Sequence, residues 1–186
     1  VAAAAHVIIL VFSKDLGSAV IFFAGYLIMV FIATKNYFYL FAGILGGAGA
    51  SIVAYHMFSH VRTRVIAFLH PWRNINDSGY QITQSLFAIG TGGWFGLGID
   101  QGDPTSIPYV EQDFVFSAVA EEMGVIFGIC LILVCVSCFI VFMKIAMQLK
   151  EDFYRYIAVG ISTIYIFQVF LTIGGGTRFI PLTGVT

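Results

Sequence analysis

Residues 113–143 read DFVFSAVAEEMGVIFGICLILVCVSCFIVFM. As one helix at about 1.5 Å per residue, this stretch measures roughly 45 Å, longer than the ~30 Å hydrocarbon core of a bilayer. Its uncharged part, Met123–Met143, fits that core by itself. The stretch therefore reads as a membrane span with acids at its mouth. Glu121 and Glu122 fall near the interface, and Asp113 lies about two turns further out.

Composition extends this reading to the whole chain. Of 186 residues, 59% are hydrophobic and only 10% charged, against about a quarter charged in an ordinary globular domain. Such an excess of apolar residues needs lipid as its solvent. The net charge is -1 and no dense Lys/Arg run occurs, so the electrostatic footprint of a nucleic-acid binder is missing. Cys130, Cys135 and Cys138 share one apolar segment and read as buried small hydrophobes rather than a disulfide framework.

The expected fold is an all-α polytopic transmembrane bundle forming a single domain over 1–186, with spans at about 17–33, 37–55, 114–143 and 156–173. Val1–Phe12 is too short to cross and reads as the tail of a helix. Both ends look cut, as in an internal piece of a larger membrane protein. Gly43, Gly46, Gly47 and Gly49 give the second span a small-residue face suited to close helix packing. Residues 56–113 form a long connection, basic in its first half. Tyr80–Ile89 is a short amphipathic helix, interfacial or re-entrant, with Gln81, Gln84, Ser85 and Ala88 on one face. Gly90, Gly92, Gly93, Gly96 and Gly98 follow it. The short turns at Lys35 and Lys144–Arg155 carry the denser positive charge, which puts them in the cytoplasm and the long connection outside.

Asp113 is the leading candidate for chemistry. A carboxylate at the outer edge of a helix, beside a loop with arginines, suits a general base; the alternative is a charge complementing the helix dipole. Glu121 and Glu122 point about 100° apart and form no dyad. One can meet an arginine and the other water. Arg62 and Arg64 offer guanidinium forks for phosphate oxygens, or for lipid headgroups or salt bridges to Asp77 or Asp113. Asp15 opens a span on the same side as Asp113, as an N-cap or as part of the same cavity wall. The histidines lack metal-ligand spacing, and no catalytic triad, Walker loop or dinucleotide fingerprint stands out.

Several motifs carry a resemblance. They are DLGSA (Asp15–Ala19), RTRVIAFLHPW (Arg62–Trp72), GYQITQSLFAIGTGGWFGLG (Gly79–Gly98), Pro108 with DFVF and AEEMG (to Gly124), and GGGTRFIPLTGVT (Gly174–Thr186). In this order, over nearly the whole chain, they resemble the SEDS proteins (shape, elongation, division and sporulation) of the FtsW/RodA/SpoVE type. The resemblance implies a polytopic glycosyltransferase of the bacterial cytoplasmic membrane. Its substrate would be lipid II, the undecaprenyl-pyrophosphate-linked disaccharide-peptide, polymerised at the outer face. Asp113 matches the family's essential aspartate and would be the catalytic base. Asp15, Arg62, Arg64, Gln81, Gln84 and Glu121 would bind substrate, with Arg64 favoured over Arg62 for the pyrophosphate. A divalent cation, Mg or Mn, is a possible helper. A penicillin-binding transpeptidase and membrane lipid would be partners. The sequence departs from the family pattern at Lys14, where Pro is usual, and at Tyr109 and Gln112, where Glu and Thr are usual. Two rival readings are a lipid II flippase, whose site would lie near the midplane, and a non-catalytic scaffold of a cell-wall complex.

Overall fold

The computed structural model describes residues 16–184. Asp15, the first segment and the end of the glycine-rich exit fall outside the described residues. The elements are α1 (Leu16–Thr34), α2 (Tyr37–Met57), α3 (Ser59–Leu69), α4 (Tyr80–Gly92), α5 (Val115–Gln148) and α6 (Asp152–Gly176). Short 3-10 turns lie at Pro71–Asn74 and Pro104–Ser106. No strand occurs among the described residues. Four helices, α1, α2, α5 and α6, are long and apolar enough to cross a membrane. The chain is a polytopic helical membrane protein.

Two compact units divide the chain. The first holds α1, α2 and Cys135–Gln168. Its helices meet at small residues. Gly43 and Gly47 of α2 face Leu27 and Phe23 of α1, and Gly25 and Gly160 face Ile164 and Met29. The α1–α2 turn is built by side-chain chemistry. Thr34 ends α1 with its hydroxyl on the Val30 carbonyl, and Asn36 caps α2 by accepting the Phe38 amide at 2.9 Å. Lys35 between them takes the left-handed conformation, with φ 52°. Arg155 closes the α5–α6 turn, donating to the Leu149 carbonyl and pairing with Asp152 at 2.8 Å.

The second unit holds Phe58–Val134 and Val169 onward. Its core joins Ala88, Ile107 and Phe114, with Val110 and Leu182 packed against them. The basic half of the connection, expected to be loop, forms α3. Arg178 explains how α3 ends. Its own backbone is left-handed, φ 56°, closing the end of α6. Its guanidinium donates to the Phe68 and Leu69 carbonyls at 3.0 and 3.3 Å. A cation on the last carbonyls of a helix satisfies orphan acceptors and complements the dipole.

Two expectations need correction. The cysteines are not buried: Cys130 is exposed and Cys135 and Cys138 are partly so. They lie on α5 among other exposed apolar residues such as Ile129, Leu133 and Val134. On α4 the buried residues are Ile82, Thr83, Ser85, Ala88 and Gly92. Ser85 and Ala88 thus share the core face with Ile82, because Ser85 finds partners inside.

Candidate functional site

Four segments of the second unit line a cavity of about 350 Å³. Helix α3 supplies Thr63 and Arg64, and the start of α4 supplies Gln81 and Ile82, with Ser78 just before it. The turn ahead of α5 supplies Tyr109, Gln112 and Asp113, and the chain beyond α6 supplies Leu182 and Gly184.

Local backbone chemistry puts Asp113 at this wall. Tyr109 is left-handed, φ 59°, and its carbonyl accepts the Gln112 and Asp113 amides at 3.0 and 3.2 Å. Phe114, fully buried, pins the next residue into the core. Its carbonyl accepts the Ser117 amide and so starts α5. Asp113 is therefore held by its neighbours, while its carboxylate makes no hydrogen bond or ion pair among the described residues. Burial raises its pKa above the ordinary carboxylate value, and the positive charge of Arg64 opposes part of that rise.

Arg64 is anchored from the other side. Its Nη1 donates to the Thr183 carbonyl, and its guanidinium lies against Gly184. The cavity wall thus carries one carboxylate and one guanidinium. They interact through space without forming an ion pair. Elsewhere in this unit, the Ser85 hydroxyl donates to the Gly176 carbonyl at 2.7 Å, so the Ser117 hydroxyl supplies the proton of the 2.6 Å Ser85–Ser117 bond. This buried pair fastens α4 to the start of α5 and the end of α6.

The AEEMG segment has a different role. Helix α5 is broken at Gly124, where φ is 85° and ψ 166°. A break frees carbonyls and amides, and each costs several kcal/mol if it stays unpaired in hydrocarbon. The residues after α4 fill the gap. Leu97 and Gly98 amides donate to the Glu121 and Glu122 carbonyls, both at 2.9 Å, and Val125 and Ile126 amides donate to the Gly93 and Trp94 carbonyls at 2.9 and 3.3 Å. A methyl at Gly96 would collide with the Glu122 carbonyl, and one at Gly124 with the Trp94 carbonyl. The two acidic side chains complete the joint. Glu121 Oε1 accepts the Asp103 amide and Glu122 Oε1 the Asp100 amide. Backbone amides take the place of the arginine expected beside one of them.

Of the candidates named from sequence, Asp113, Arg64 and Gln81 come together at the cavity. Arg62, Gln84 and Glu121 are not among its lining residues, and Asp15 is outside the described residues. Sequence reasoning misses Thr63, Ser78, Tyr109, Gln112 and the Thr183–Gly184 tail as parts of the site. Tyr109 and Gln112 do carry a signal, as departures flanking Asp113. Among the described residues no group of three His, Cys, Asp or Glu side chains converges to hold a metal ion.

Comparison with known proteins matches all of residues 1–186 to the family described as "Cell cycle protein", FtsW/RodA/SpoVE. The peptidoglycan glycosyltransferase RodA of Mycobacterium tuberculosis is 37% identical over 179 residues, covering 96% of this chain and 38% of that protein. The probable peptidoglycan glycosyltransferase FtsW of Aliivibrio salmonicida is 34% identical over 184 residues, covering 95% and 46%. Stage V sporulation protein E of Bacillus subtilis is 31% identical over 182 residues, covering 96% and 50%. The chain thus spans half or less of the length of these relatives.

Proposed function

The chain belongs to the FtsW/RodA/SpoVE family of multi-pass proteins of the bacterial cytoplasmic membrane, and from that premise we propose that it forms the catalytic part of a peptidoglycan glycosyltransferase that polymerises lipid II. The observation that carries the reading is the presence, in one cavity, of a half-buried carboxylate without a hydrogen-bond partner among the described residues and an anchored guanidinium.

In this reading Asp113 takes the proton of a sugar hydroxyl on one lipid-linked glycan. The freed oxygen attacks the anomeric carbon of the second, through a transition state of oxocarbenium character. The bond from that carbon to the pyrophosphate oxygen breaks, and the pyrophosphate leaves with the electron pair. Arg64 meets its growing negative charge. Asp113 returns its proton to water. Burial suits the carboxylate to this task by strengthening it as a base, while the charge of Arg64 offsets part of the rise in its pKa. Gln81, Ser78 and Thr63 supply neutral hydrogen-bonding groups for sugar hydroxyls. The cavity faces the cell exterior, where a penicillin-binding transpeptidase would crosslink the product.

The test is glycan polymerisation from lipid II by the full-length protein with its transpeptidase. Asp113→Asn should lower polymer formation at least ~100-fold, the scale of general-base catalysis, while the variant remains folded. Polymerisation at the normal rate by Asp113→Asn would remove Asp113 as the base. Lipid II crossing vesicle membranes without polymer from either form would favour the flippase.

A further inference from the structure

The glycine-rich segment that mends α5 presents unusual side chains. Trp94 and Phe95 are 68% and 85% exposed, and Leu97 and Ile99 are exposed as well. Single apolar tips scattered on a surface need no explanation. These four are neighbours on a backbone held at both edges of the α5 break, so their outward presentation is fixed.

Their depth follows from the helix they are bonded to. The uncharged run of α5 from Met123 to Met143 is about twenty residues, roughly 30 Å, the thickness of the hydrocarbon core. Gly124 therefore lies at one edge of that core. The Gly93, Trp94, Leu97 and Gly98 backbone groups, bonded to residues 121–126, lie at the same level. The exposed apolar surface extends onto α5 itself, at Ile126, Phe127 and Ile129. Polarity changes on the far side. Asp100 and Asp103 come next in the chain, and their amides are held by Glu122 and Glu121. The order from apolar tip to acids matches the step from acyl chains to water, and Trp is favoured at that boundary.

We propose that the Trp94–Ile99 loop is a membrane-seating surface whose occupant is the bilayer interface. It inserts Trp94, Phe95 and Leu97 at the acyl-headgroup boundary beside α5, and so sets the height of the connection above the lipid that holds the substrate.

The experiment uses the full-length protein in lipid vesicles, with a nitroxide label on Phe95→Cys. Collisions with lipid-soluble oxygen and with a water-soluble nickel complex are compared with those of labels on Ile126→Cys and Ser106→Cys. The expected result is oxygen access exceeding nickel access, close to the label at position 126. A label at 95 that behaves like the one at 106 would overturn the proposal in favour of a solvent loop. Shielding from both reagents would overturn it in favour of a covering protein segment, whether from the same chain or a partner. Leu97→Cys repeats the measurement should the first variant not fold. Neither readout depends on catalysis, so the result stands or falls apart from the glycosyltransferase reading.

Discussion

Asp113 is caught between two influences that pull its proton affinity in opposite directions. Burial raises it and Arg64 lowers it, with burial the larger. In the proposed mechanism the ionised form is the base, so activity should fall as pH drops through a pKa above the ordinary carboxylate value. Arg64→Gln removes the opposing charge, and the acidic limb of the rate profile should move to higher pH while the maximal rate falls. A limb that stays in place would separate Arg64 from the base. Stability runs the other way. An aspartate whose folded pKa is raised favours the folded state below its unfolded pKa, and that contribution is lost as pH rises through the folded value. At neutral pH Asp113→Asn should therefore melt at a temperature equal to or above wild type, a result that would exclude unfolding as the cause of any polymerisation it loses. Residue type and a place before a helix make Asp113 a candidate, and the resemblance carried by its DFVF motif sets it above a charge that merely complements the helix dipole. Its neighbours at Tyr109, Ser78 and Thr183 are not legible in residue order, because a left-handed turn and two distant chain segments create them.

At the scale of elements, α5 is the instructive case. Its length and its uncharged run are readable from residue order, and so is the position of Glu121 and Glu122 near the boundary. The break is not. A glycine in a helix usually costs only about 1 kcal/mol, and Gly128 in the same helix keeps ordinary helical geometry. What singles out Gly124 is a non-local partner, the segment after α4, whose amides and carbonyls let the broken conformation persist in lipid. Gly124→Ala meets both a positive φ and the Trp94 carbonyl. It should destabilise the fold by about 1–3 kcal/mol, the scale of backbone strain at a special site, read as a lower melting temperature in detergent. Gly49→Ala, where nothing lies within 4 Å, should leave the melting temperature within error or raise it. Equal effects from both would mean that the break contributes nothing.

For the molecule as a whole, four crossings fix which connections share a side. The turns around Lys35 and Lys150 should be cytoplasmic, and the 58–114 connection outside. An impermeant maleimide added to intact cells should label Asp77→Cys and spare Lys150→Cys until the membrane is opened; the reverse pattern would invert the orientation and put the cavity on the wrong face for the proposed glycan assembly. The four crossing helices are legible from length and apolarity, which are local properties. Helix α3 escapes such a reading because it is capped by Arg178 from more than a hundred residues away. The joint at Gly124 has a further consequence, for biogenesis. Ribosomes deliver residues 92–98 before 121–126, so the patch is made before the gap it fills. Until residues 121–126 exist, the Leu97 and Gly98 amides lack the Glu121 and Glu122 carbonyls that accept them. Closure of this joint thus waits on the synthesis of α5, and a chain in which it fails carries unpaired backbone groups on both segments.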